Sequence, residues 1–472
     1  MNSYISLIFK TVLVLSFSFY SVKAQTDSSQ QYKINSITIV GNTKTKDRII
    51  IRELVKKSGD TLTLKDLPAI NQRSEFNIFN TYLFIYDSIY AKVDEAAKTI
   101  DYKIKVKERW YIWPIPFVDY LDRNVNAWWK TKDLERLNYG VTIGLENFTG
   151  VKDRLLLIAK TGYANQLGFN YRLPFLNKKQ SVGAYAQFLY TEYNKLHYVT
   201  QNNEQQFIIS EKSHLRSDRS SRAGIFYRPH LFLQHSFDIY YNHITISDSV
   251  LRSNSSYLFK SSRLAEYVGI QYKFTFDDRD NKIYPLSGTM LEGVLIKDGF
   301  ELKSNSPINT VQGVFALKNY FPIGKRFNFA NQIRGRYLNS TQPLPFAFNQ
   351  ALGYTYNVRG YEYNVIDGQN YFLIKNSFRF ELIKKKFHEL GMLKKLKPFS
   401  TVPFYAYLNL FYDGAYVKEA YYKQTNTLAN SWQQGYGIGL DLITYYDLVI
   451  RLEYSYNKQN AGGFYIHFTS GF

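Results

Sequence analysis

The chain has 472 residues with 42 Tyr, 35 Phe and 5 Trp, no Cys, a formal net charge of +20 and a mean hydropathy of −0.32. No apolar run reaches the length of a membrane-crossing helix, which excludes a helical membrane protein, and the missing Cys excludes a disulfide framework and a lipid-bearing cysteine. Aromatic wealth without long apolar runs instead suits a transmembrane β-barrel, where alternate residues meet lipid and rings gather at both interfaces; a soluble secreted all-β protein rarely needs it.

Residues 1–24 read as a secretory signal: Lys10, the apolar run TVLVLSFSFY and the end Val22-Lys23-Ala24, with cleavage expected after Ala24. For an exported chain without a compact basic motif, nucleic acid is a poor partner for the positive charge. Anionic lipid headgroups or a charged lumen fit it better.

A first domain is expected over residues 25–109. Lys33 to Val40 reads as a strand ended by Gly41-Asn42. In DRIIIRELVKK, the spacing of Ile50, Ile51, Leu54 and Val55 predicts one face of a helix, stopped by Ser58-Gly59-Asp60. A second helix is expected from about Lys65 to Ile78, with Pro68 in its first turn. Residues 82–91 read as a strand, and the alternation of Ile100, Tyr102, Ile104 and Val106 with Asp101, Lys103, Lys105 and Lys107 predicts another. The expected order is β-α-α-β-β.

From Trp110 onward the hydrophobic period is two. Sixteen strands are expected, near residues 110, 139, 153, 165, 181, 221, 235, 263, 288, 307, 326, 369, 403, 433, 447 and 462. An even number lets both ends of a single-chain barrel lie on one side of the membrane. Pro114 and Pro116 predict an interruption of pairing along the first strand. Gly435, Gly437 and Gly439 share one face of their strand and are expected in the lumen. Arg451 and Glu453 must also point inward, because a charge on the lipid face costs ~2 to 4 kcal/mol at the midplane. In the last strand Phe464, Ile466, Phe468 and Phe472 share a face, leaving His467 as a lumenal polar residue with no neighbour in the sequence at metal-ligand spacing. Long outward loops are expected at about 120–138, 194–220, 246–262, 340–368 and 414–432, and a long basic inward connection at 384–402, carrying Lys384, Lys385, Lys386, Lys394, Lys395 and Lys397.

Three segments carry a resemblance. The run TFDDRDNKIYPLSG, with Asp278, Arg279, Asp280, Pro285 and Gly288, resembles the turn between the eighth and ninth strands in the surface-antigen type barrels of the superfamily of BamA, TamA and the two-partner secretion transporters. Val358, Arg359, Gly360 and Tyr361 match that superfamily's loop motif at all four positions, although an Arg-Gly dipeptide is ordinarily a solvated loop feature. The alternating aromatics at the C-terminus resemble its assembly signal, and residues 25–109 resemble a single POTRA domain.

The resemblance implies an α+β POTRA domain in the periplasm of a Gram-negative bacterium, followed by a 16-stranded antiparallel barrel over residues 110–472 in the outer membrane. It implies that loop 340–368 folds into the lumen, where Arg359 meets an acidic residue of the thirteenth strand. Asp413 is the first candidate by parity, and Glu381 on the twelfth strand is the second. It also implies that the seam between first and last strands can open to a client. The family's F-x-D-x-G pattern appears here as Phe411, Asp413 and then Gly414, one residue early.

The implied function is outer-membrane protein assembly or polypeptide translocation. The alternative is a passive pore or surface scaffold. Expected partners are unfolded polypeptide clients, the lipid bilayer and accessory subunits. No G-x-S-x-G, H-E-x-x-H or phosphate-binding glycine loop occurs, so neither an enzyme nor a cofactor or metal is expected.

Overall fold

The computed structural model describes residues 30–120, 126, 128–129, 132–177, 179–210, 214–300, 307–389, 401–444 and 448–469. Residues 1–24, expected to be a signal sequence, and Lys394, Lys395, Lys397 and Phe472 lie outside the described residues.

The N-terminal domain runs β1 (Gln31–Val40), α1 (Asp47–Glu53), β2 (Thr61–Thr63), α2 (Leu67–Phe79), β3 (Phe84–Asp94) and β4 (Thr99–Glu108). Its sheet order is β2-β1-β4-β3, with β1 parallel to β4. The short strand β2 was not expected from the sequence; three residues are too few to show a period. Helix α1 is also shorter than expected. It buries Ile49, Ile50 and Glu53, followed by Leu54 at its C-cap, while Val55 is exposed. The apolar face is therefore turned by one residue; the helix ends at Glu53, Leu54 is already extended, and the Val55 amide donates to the Ser74 hydroxyl of α2 (3.1 Å).

Sixteen strands form the second sheet: β5 (Ile112–Tyr120), β6 (Leu137–Glu146), β7 (Arg154–Gly162), β8 (Ala164–Leu173), β9 (Val182–Tyr193), β12 (Arg216–His230), β13 (Leu233–Ile246), β14 (Leu264–Asp277), β15 (Gly288–Asp298), β16 (Thr310–Ile323), β17 (Phe327–Ser340), β20 (Asn370–Glu389), β21 (Thr401–Lys418), β22 (Trp432–Ile443), β23 (Val449–Asn457) and β24 (Gly462–Thr469). All the pairings are antiparallel between chain neighbours in this order. The two-faced pattern is clean in β23: Arg451, Glu453 and Ser455 are buried while Tyr454 and Tyr456 are exposed. Exposed Leu157, Phe169, Phe237, Leu295, Phe315 and Leu410 form the same outward apolar band.

Several of the expected loops carry regular structure: a short helix spans Asp248–Ser253, and β21 runs on to Lys418. Residues 195–209 hold a hairpin, β10 (Lys195–Gln201) with β11 (Glu204–Ile209). Instead of starting a long connection, Lys384, Lys385 and Lys386 lie within β20, whose ladder with β21 continues to Glu389 opposite Thr401. This extension leans on the N-terminal domain, with the Lys385 ammonium over the Phe79 ring at 5.5 Å.

The expected break in the first strand is absent: β5 and β6 pair from Ile112 opposite Leu145 to Tyr120 opposite Leu137 without a register shift. The Glu146 amide donates to the Tyr111 carbonyl (2.7 Å), which makes odd-numbered β5 residues the hydrogen-bonded positions toward β6. Pro114 and Pro116 are even-numbered, so the donors they lack belong to the opposite edge, the one turned toward β24. Beyond β5, the Asn126 side chain donates to the Ile466 carbonyl (3.0 Å) and accepts from the Ile466 amide (2.9 Å), tying the start of the barrel to its last strand.

The N-terminal domain seats on the short-turn end of the barrel. Arg228 of β12 donates to Glu53 of α1 at 3.1 and 3.4 Å, Lys46 bonds the Gly150 carbonyl (3.0 Å), and Arg73 of α2 donates to the Asp278 carbonyl (2.8 Å).

Candidate functional site: the infolded loop and its lumenal anchor

The segment between β17 and β20 returns into the barrel. Val358, Arg359, Tyr361 and Glu362 are each at most 2% exposed. A two-strand ladder of β18 (Gln350–Leu352) with β19 (Ile366–Asp367) closes the base of this excursion. Gly360 adopts φ +92°, a conformation in which an L side chain is strained, and a β-carbon there would also press on the Tyr456 carbonyl at 3.0 Å.

Arg359 is held on three sides. Its Nε and Nη2 donate to the two carboxylate oxygens of Asp413 at 2.9 and 2.6 Å, and its backbone amide reaches the same carboxylate at 3.1 Å. Nη2 also donates to the Asn376 carbonyl (3.2 Å) and Nη1 to the Ser377 hydroxyl (3.3 Å). Nη1 lies 3.5 Å from Glu453, and the guanidinium plane covers the Phe411 ring at 3.9 Å. The planar fork thus uses both edges and its face, which a lysine ammonium could not do. Tyr361 donates to Gln433 of β22 (2.8 Å), and Asn457 donates to the Gly360 carbonyl (2.8 Å).

Glu381 does not take part in this anchor. It lies four residues beyond Ser377 on β20, ~13 Å along an extended strand, and the ladder shifts register just past it, between Glu381 and Ile383. Glu453 provides the second carboxylate instead. Its inward direction was legible from alternation, but its distance from Arg359 depends on the curvature of the whole sheet. Gly414, one residue early for the family pattern, starts no turn: β21 continues to Lys418, and a β-carbon at Gly414 would fall 2.4 Å from the Trp432 ring.

The turn between β14 and β15 also enters the lumen. Asp277 holds Arg279 at 2.7 Å, Asp278 accepts from the Thr289 amide at 2.5 Å, and Asp280 accepts from the amides of Asn281, Leu286 and Ser287. Gly288 has φ +99°. These bonds project Tyr284 inward, where its hydroxyl donates to Asp441 (2.7 Å), and place the Pro285 carbonyl where Arg379 donates to it (3.0 Å). Asp441 pairs with Arg451 at 2.8 Å, and Arg451 approaches Glu453 at 3.7 Å. A continuous polar path therefore joins the turn to the Arg359 anchor.

His467 is not isolated. The loop delivers Glu362 and β23 delivers Glu453, placing their carboxylates 3.6 and 3.4 Å from its Nε2. Ligand atoms of Glu362, Glu453 and His467 all lie within 4.8 Å of one another, so this is the group of described residues that could hold a metal ion. No local spacing could have revealed it, since its members come from three segments. Of the aromatic C-terminal face, Phe464 and Phe468 are more than half exposed and Ile466 is half-buried, all on β24.

A small mixed sheet with two helices, docked on a sixteen-stranded antiparallel barrel with an arginine-anchored loop in its lumen, defines a POTRA-plus-barrel protein. The Omp85 superfamily domain matches residues 147–472, and the surface antigen variable number repeat, a POTRA family, matches residues 32–109. The chain belongs to the Omp85 superfamily. Its fold is similar to that of BamA from Haemophilus ducreyi lacking POTRA domains 1–3, at 14% identity and a TM-score of 0.50, covering 90% of this chain and 81% of that one. CdiB from Acinetobacter baumannii aligns at 13% identity and a TM-score of 0.48, covering 93% and 74% of the two chains. No curated protein matches the sequence. The superfamily carries an outer-membrane barrel with its POTRA domain on the periplasmic side.

Proposed function

We propose that this protein is a non-enzymatic outer-membrane factor of a Gram-negative bacterium, receiving unfolded polypeptide on its POTRA domain and inserting it into, or passing it across, the membrane. The observation that carries this reading is the Arg359 anchor: a loop held in the lumen by two carboxylates and a ring obstructs the passage that a passive pore would leave open. Two further features support it. Strand β3 forms an edge of the POTRA sheet, where a client strand can add by backbone pairing; Glu75 occupies the Ile89 amide there (2.8 Å) and would have to yield. The seam edge of β5 lacks the donors of Pro114 and Pro116, which weakens closure where a client strand would enter.

Photocrosslinkers placed across residues 32–109, combined with conductance of the full chain and a chain lacking residues 353–365, test this reading. Crosslinks to a nascent barrel protein and low conductance that rises on loop deletion are expected. High conductance of the intact chain without client crosslinks would establish the passive pore instead.

A further inference from the structure

Two cavities meet where the POTRA domain covers the barrel mouth, of about 480 and 370 Å³, and Lys152, Arg172 and Arg228 line both. Every carboxylate in their walls is already occupied. Glu53 is taken by Arg228 at 3.1 Å, Glu146 by Arg154 at 2.6 Å, and Asp277 by Arg279 at 2.7 Å. Of the other cations in the walls, Lys273 is taken by Glu292 at 2.5 Å, and Arg73 and Arg109 are turned onto the carbonyls of Asp278 and Phe84 at 2.8 and 2.9 Å. That leaves Lys152 and Lys282, which come from turns between barrel strands, and Arg172 at the end of β8. Among the described residues none of the three has a carboxylate in ion-pair range; Arg172 only stacks on Phe226, at 4.3 Å. The chamber therefore has an uncompensated positive field. Burial pushes the Lys152 ammonium down to about 7; Glu53 opposes this, and Arg228, Lys282 and Arg172 each add to it.

We infer that this chamber is a binding site for a phosphate-bearing anion. Like-charged groups held together around a void are costly unless a counter-ion spans them, and three cations contributed by three separate segments suit a group that offers several acceptor oxygens at once. The wider cavity adds Trp113, Phe175 and Phe226, flat apolar walls for an organic ester beside the charge, and both volumes lie in the range of small-molecule sites. A soluble phosphate and a phospholipid headgroup share this chemistry.

The test uses the full chain purified in neutral detergent, with inorganic pyrophosphate as the soluble probe and retained phosphatidylglycerol against phosphatidylcholine, read by native mass spectrometry, as the lipid probe. Pyrophosphate is expected to bind and to raise the melting temperature, with affinity at least about tenfold weaker in K152Q/K282Q and in R172Q. Selective retention of phosphatidylglycerol, lost in the same variants, assigns the site to a headgroup; pyrophosphate binding without it assigns a soluble ligand. Without ligand, K152Q/K282Q should melt higher than the native chain, because two buried ammonium groups and the repulsion around them are removed, and saturating pyrophosphate should reverse that order. Absence of binding to both probes, equal binding by the variants, or binding of a polyglutamate peptide in preference to pyrophosphate would overturn the inference.

Discussion

Gly435 has no side chain where the loop passes: a β-carbon built on it falls 1.8 Å from the carbonyl oxygen of Arg359. The neighbouring glycines serve different contacts. A β-carbon at Gly437 would meet the Tyr454 carbonyl at 2.2 Å and the Phe411 ring at 2.7 Å, and one at Gly439 would press on Glu453 at 3.0 Å. Gly435→Leu should therefore expel the loop and increase protease cleavage within residues 353–365 of the folded barrel. Unchanged cleavage would show that the loop is not held by this close approach.

Arg359→Ala should leave Asp413 buried without its main partner, a loss of ~3 to 5 kcal/mol for a buried pair, and should raise leak conductance. Arg359→Lys should restore little, since an ammonium cannot bond both Asp413 oxygens while covering Phe411. Recovery of native conductance by the lysine variant would reduce the anchor to a simple charge.

Outside the membrane, Asp87 on β3 offers a pH test. Burial, followed by repulsion from Glu75, raises its carboxyl to about 7 against the attraction of Lys385. The folded state then keeps a proton that the unfolded chain releases near the ordinary aspartate range, so stability falls as pH rises from there to about 7. Asp87→Asn should flatten this slope and raise the POTRA melting temperature at pH 8 by ~2 °C or more. Parallel melting curves for both proteins between pH 5 and 8 would contradict it.

At the seam, Pro114→Val with Pro116→Val returns two amide donors to the edge facing β24. Hydrogen exchange in residues 463–468 should slow, and client insertion should slow with it. A cysteine bridge between β5 and β24, clean because the chain has no Cys, should block insertion when oxidised. Full activity of the oxidised protein would exclude lateral opening and leave the fold untouched.

Much of the architecture was legible in the sequence for a definite reason. A barrel strand has one face in lipid and one in the lumen, so its period of two is written into every strand, as in Arg451, Glu453 and Ser455 against Tyr454 and Tyr456. Short-range chemistry was legible too: the Asp277 to Gly288 turn is closed by its own carboxylates and amides. The alternation also assigned Asp413 and Glu453 to the lumen. It could not say which carboxylate reaches Arg359, because parity fixes direction while height along the strand and the curvature of the sheet fix distance; Glu381 has suitable parity and the wrong height. Groupings made of distant segments were decided only by the tertiary structure: Glu362, Glu453 and His467 beside the loop, Glu53 against Arg228 at the domain junction, and Lys152, Arg172 and Lys282 around one void. Each joins residues whose meeting depends on sheet closure and domain seating, and neither leaves a periodic trace in the chain.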